Sequence, residues 1–147
     1  MSSSRVMALT LLLAVSVVLA HASSSRARRH RVARAAAGGA IVCDTNVQNP
    51  HRSTHFPETV NLIVVNWCSS FVYGIRMRAA IYFNHHKVAD TGSVYRGDAR
   101  VTDIKVAVTC RSGLYQGWGG ASWYFPPGYH PPSTGRFGWS RAQTVRC

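Results

Sequence analysis

Residues 72–83 read VYGIRMRAAIYF, and their alternation decides the fold class. Ile75, Met77, Ala79, Ile81 and Phe83 share one parity, while Arg76 and Arg78 share the other. A repeat of two marks a strand with one buried face, because successive side chains leave the pleated backbone on opposite sides. Residues 101–110 (VTDIKVAVTC) repeat the pattern, with Ile104, Val106, Val108 and Cys110 inward and Asp103, Lys105 and Thr109 outward. Residues 59–68 (TVNLIVVNWC) are apolar on both faces at their centre, which predicts a strand covered on both sides. Near the C-terminus Phe137, Trp139, Val145 and Cys147 fall on one parity, with a bulge expected over residues 140–143. Turn-forming clusters at Asp90-Thr91-Gly92-Ser93, Arg96-Gly97-Asp98, Arg111-Ser112-Gly113 and Pro126-Pro127-Gly128 separate these runs. No segment carries a three-turn helical stripe. The expectation is an all-β fold, a small antiparallel β-sandwich of six to eight strands.

Outward from this core, the N-terminal region reads differently. Arg5, an apolar run over residues 9–20 and the small-x-small end Ala20-His21-Ala22 form the pattern of a secretory signal peptide over residues 1–22. The run is shorter than the roughly 20 residues needed to cross a bilayer as a helix. Arg26, Arg28, Arg29, Arg31 and Arg34 follow the expected cut and resist translocation, so an uncleaved anchor is the alternative. Arg28-Arg29 follows the apolar run and is therefore not a twin-arginine signal. Residues 23–40 are rich in Ser, Arg, Ala and Gly without apolar periodicity, which predicts a disordered basic arm. Residues 41–147 are then one secreted, extracellular β-sandwich domain.

Export places the four cysteines in an oxidising compartment, where disulfides are expected rather than metal ligands or nucleophiles. Of three possible pairings, Cys43–Cys68 and Cys110–Cys147 are preferred. Cys110 and Cys147 both end strands and both lie on the inward parity. In the chain-entropy picture the two bridges contribute about 3.5 and 4 kcal/mol.

The formal net charge is +12, from 17 Lys+Arg against 5 Asp+Glu. Such an excess attracts polyanions, among them nucleic acid, anionic lipid and cell-wall polymers. Arginine outnumbers lysine fifteen to two, a bias that a GC-rich genome produces without any ligand.

The stretch Asn49-Pro50-His51-Arg52-Ser53-Thr54-His55-Phe56-Pro57-Glu58-Thr59-Val60-Asn61 resembles a motif of small secreted disulfide-bonded β proteins of actinobacterial type, a group of uncharacterised function. In that pattern a cysteine precedes Asn-Pro-His-x-Ser-x-His-x-Pro-Gly-Thr-Val-Asn. A second cysteine, a β-rich middle, a third cysteine, a Pro-Pro-Gly turn and a terminal cysteine follow. The match runs from Cys43 to Cys147 and departs at Glu58, where the pattern has Gly. The resemblance implies a secreted β domain and no particular activity.

Several side-chain groupings bear on chemistry. His51 and His55 are four apart, a zinc spacing on a helix, but Pro50 and Pro57 disfavour a helix there. A third ligand would have to come from Asp44, His85, His86 or His130; no metal and no cofactor are expected. His85-His86-Lys87 reads as a solvated turn. His51, His55 and Glu58 with an arginine could supply the base, acid and cation of a secreted basic hydrolase or toxin acting on nucleic acid. Five carboxylates in all leave little scope for a facing glycosidase pair. Tyr115, Trp118, Trp123, Tyr124, Phe125, Tyr129, Phe137 and Trp139 crowd the final third. Trp123, Phe125, Phe137 and Trp139 are expected in the core. Tyr115, Trp118 and Tyr129, flanked by Arg111 and Arg136, are expected to form an exposed binding surface. The leading expectation is a non-catalytic extracellular binding or surface-interaction module for polyanionic or glycan ligands, with the hydrolase and a ligand-free structural surface protein as alternatives.

Overall fold

The computed structural model describes residues 31–36 and 38–147. The expected signal peptide, and residues 23–30 of the expected arm, lie outside the described residues. Among the described residues ten strands follow one another: β1 (Arg31–Ala35), β2 (Ala40–Val47), β3 (His51–Arg52), β4 (Thr59–Phe83), β5 (His86–Asp90), β6 (Val94–Thr109), β7 (Gly113–Tyr124), β8 (Tyr129–His130), β9 (Ser133–Trp139) and β10 (Gln143–Val145). Every pairing is antiparallel. The all-β expectation holds, with more strands than the turn signals suggested.

The organising element is β4, which runs for 25 residues. Its register against β6 shifts between Trp67 and Val72, and the buried parity changes just beyond, between the buried Val72 and Ile75. Before the shift Val60, Leu62, Val64, Asn66 and Cys68 are buried; after it Ile75, Met77, Ala79 and Ile81 are. A strand that bends through such an irregularity can leave one layer and enter the other. The first half of β4 pairs with β2, β3 and the second half of β6; the second half pairs with β7, β5 and the first half of β6. One continuous ladder therefore folds over itself into two packed layers.

Small residues on β7 set the spacing between the layers. Gly117 and Gly119 occupy its inner face, where an added Cβ would lie 2.4 Å from Leu62 Cδ1 and 2.7 Å from Val64 Cγ2. The glycines are there because the opposite layer fills their space. Trp123 is fully buried, and its Nε1–H donates to Asn66 Oδ1 across the layers. Arg136 of β9 pairs with Asp44 of β2 at one side, and the Thr45 hydroxyl donates to Arg136 O there at 3.4 Å. The disulfides are Cys43–Cys68, joining residues directly opposite on β2 and β4, and Cys110–Cys147, joining the end of β6 to the C-terminus.

Three expectations are corrected. Within the expected disordered arm, Arg31–Ala35 is strand β1, which pairs with β2, and Ala33 is fully buried. The Arg31-Val32-Ala33-Arg34 alternation is too short to register as periodicity, but backbone pairing with β2 recruits it. The centre of residues 59–68 is fully covered on one face and only partly on the other, for Ile63 and Val65 are half-buried and Trp67 is exposed. Phe137 and Trp139 point outward, because Arg136 takes the inner parity to reach Asp44. Among the described residues no helix is long and apolar enough to cross a membrane.

Candidate functional site

The outer face of the second layer carries a group of exposed and half-buried aromatic and cationic side chains. Register places its rows: Tyr95–Arg76–Ser122–Gly135, Arg78–Gly120–Phe137 and Ala80–Trp118–Trp139 share one face across β6, β4, β7 and β9. Phe137 is 44% exposed and Trp139 55%. Trp118 stacks on Phe137, with ring centroids 5.4 Å apart and planes at 18°. Tyr82 meets Trp139 edge-on at 4.8 Å. Further along the strands Tyr95 lies 6.5 Å from Tyr124. Gly74 makes this possible, because any Cβ there would collide with the Tyr95 ring.

Two guanidinium groups sit among the rings. Arg76 lies 5.7 Å from the Tyr124 centroid and Arg78 6.0 Å from that of Trp118, within cation–π range. Their settings differ. Asp90 accepts both Arg78 Nε at 2.9 Å and Nη2 at 2.6 Å, and also Lys87 Nζ at 3.0 Å. These bonds, with Arg78 first among them, hold the Asp90 carboxyl well below its ordinary range, and Asp90 in turn raises Arg78. Arg76 has no acidic partner among the described residues. Arg78 is therefore a fixed shelf, while Arg76 has its hydrogen-bonding fork available.

At the β10 side the face ends in an open cleft of about 260 Å³ lined by Tyr82, His85, Leu114, Tyr115, Gln116 and Trp139. The adjoining hairpin holds Asn84 and His85 at positive φ, as a two-residue turn between paired Phe83 and His86 requires.

The sequence-predicted site residues scatter. Trp118 belongs to this face. Tyr115 does not: it is 1% exposed, and its hydroxyl accepts from Arg111 N and donates to Arg111 O, both at 3.0 Å. Its inward parity on β7 puts it in the core. Arg111 lies over the Phe83 ring at 4.5 Å. Arg136 is engaged by Asp44, beside a small cleft of about 160 Å³ that it shares with Thr45 and Phe137. Tyr129 sits with Tyr73, Phe125 and the Pro126-Pro127-Gly128 turn, paired to β1 through Ala35. Arg76, Tyr82, Tyr95, Tyr124, Phe137 and Trp139 were not selected from sequence. The available signals are the outward parity of Arg76 and Arg78 and the aromatic crowding that includes Tyr124, Phe137 and Trp139.

His51 lies on β3, and His55 and Glu58 on the loop that follows it; all three are exposed. Internal bonds shape that loop: Arg52 Nε donates to Pro57 O at 2.6 Å, Phe56 N to the buried Ser53 Oγ at 3.0 Å, and His51 Nδ1 meets Asn49 O at 3.1 Å. Among the described residues no three His, Cys, Asp or Glu side chains gather as a metal site. No protein-family model and no curated protein matches the chain.

Proposed function

We propose that the protein is a non-catalytic extracellular binding module whose β4–β7–β9 face holds an anionic glycan. The observation behind this reading is the half-exposed Phe137 and Trp139 beside Arg76 and Arg78 on one sheet face. Leaving aromatic area in water forgoes about 25 cal/mol per Å² of stabilisation, and clustered exposure of this kind marks interaction surfaces. Flat indole and phenyl rings suit the apolar faces of sugar rings. A guanidinium suits a carboxylate or sulfate in bidentate fashion. From the Trp118 row to the Tyr124 row is six residues, about 20 Å of strand. An extended polymer covers that length, whereas a single sugar does not. Two disulfides and a net charge of +12 support an extracellular setting and an anionic partner.

The test is titration of the oxidised protein with a sulfated or carboxylated polysaccharide, its neutral counterpart and single-stranded RNA, each at low and high salt. The anionic glycan is expected to bind, Trp139→Ala to weaken it about tenfold, and Arg76→Gln to flatten its salt dependence. Tighter binding of RNA would move the ligand class to nucleic acid. Absence of binding to every polymer would overturn the reading.

A further inference from the structure

Strand β6 is 16 residues long, and among the described residues it pairs with β4 alone. Among the described residues the other margins are short or occupied, and β5, which also pairs with β4 alone, has five residues. β3 and β8 have two residues each, β10 has three, and the margin of β9 is met by Asp44 and Thr45 of β2. A long, unpaired strand margin presents a row of backbone donors and acceptors that can extend the sheet with a further strand.

We infer that the second half of β6 pairs antiparallel with the same strand of a second copy, about a twofold axis at Ile104. Three features select this partner and register. First, Asp103 and Lys105 flank Ile104 on the outer face, opposite Val65 and Ile63 of β4. In one chain they form an exposed contact of 3.6 Å along the strand. A twofold at Ile104 sets Asp103 directly across from Lys105 of the second copy, twice; an axis at Lys105 would oppose lysine to lysine. Second, the inner parity over residues 101–107 is Thr102, Ile104 and Val106, without a charge. Inward charges are one device that blocks such pairing, and here every charge in the stretch faces out, where it can be matched across the twofold. Third, Val106 packs against the core yet is half-buried, and Val101 is 59% exposed beside the exposed Trp67. In the paired arrangement Val106 gains cover from Thr102, and Val101 from Ala107, of the second copy. The dimer would carry two copies of the aromatic face and bind a long polymer with avidity. The pairing itself does not depend on the identity of that ligand.

Sedimentation velocity and light scattering on the full chain, across a concentration series, test this. The wild type is expected at twice the monomer mass. Asp103→Lys and Lys105→Asp, each confirmed folded by circular dichroism and a thermal melt, are expected to weaken association at least about tenfold. The double swap Asp103→Lys/Lys105→Asp is expected to restore it, since the symmetry re-pairs the charges. A wild type that stays monomeric, a dimer indifferent to the single reversals, or a double swap without recovery would each overturn the inference.

Discussion

Asp90 shows how one carboxylate organises a surface otherwise dominated by cations. It collects Arg78, Lys87 and the Gly92 amide, so Arg78 is held beside Trp118 rather than sweeping through solvent. Because the Asp90 carboxyl is depressed in the folded state, its contribution to stability is fully present above the ordinary aspartate range near pH 4 and is lost as pH falls toward the lowered value. Thermal melts between about pH 5 and 2 should therefore show an acid-side loss in the wild type that is smaller in Asp90→Asn. Equal slopes would show that Asp90 adds nothing of this kind. Trp123 and Asn66 make the corresponding point in the interior. The indole N–H has its acceptor in Asn66 Oδ1, while Asn66 Nδ2 has no partner among the described residues. A buried polar group with a missing partner costs about 1–3 kcal/mol, and the Trp123 bond partly offsets keeping an amide there.

At the scale of elements, β4 and β7 define the sandwich together. The alternation in residues 72–83 announced a half-buried strand, and Ile75, Met77, Ala79 and Ile81 are indeed buried. The same stretch hid the corner, because residues 59–68 and 72–83 read as two strands with unrelated parities. They are one strand whose parity slips where it changes layer. The physical role of the β7 glycines Gly117 and Gly119 is to admit Leu62 and Val64. Gly117→Ala tests this by overpacking, with an expected cost of about 1–3 kcal/mol. In that background Leu62→Val should cost less than it does in the wild type, since the shorter side chain relieves the contact. Additive effects in chemical denaturation would show that the Leu62–Gly117 contact does not set the spacing.

For the whole molecule, cross-links at two distant places hold a fold made mostly of non-local strand pairs. Cys43–Cys68 closes a separation of 25 residues and Cys110–Cys147 one of 37. The second is expected to matter more for the C-terminal segment, because β10 contributes only three paired residues. Replacing Cys110 and Cys147 together by alanine should lower the unfolding free energy by about 3–4 kcal/mol. In a protein whose total stability is about 5–15 kcal/mol that is a large fraction. Guanidinium titration measures it, and a loss under about 1 kcal/mol would mean the terminus is held by β10 instead. The candidate face is also a whole-molecule property: it needs β6, β4, β7 and β9 side by side, and residues from Arg76 to Trp139.

The sequence by itself determined the class of structure, since a period of two and turn residues act locally, and the inward parity of Cys110 and Cys147 pointed to the second bridge. Tertiary structure decided which aromatics are buried. Tyr115, expected on the surface, and Trp139, expected in the core, exchange places. Tyr115 went inside through its parity on β7 and its bonds to Arg111, and Trp139 went outside because Arg136 had turned inward to Asp44. Side-chain facing on an edge strand depends on what the neighbouring layer offers, and that neighbour, β2, is some ninety residues away in the chain.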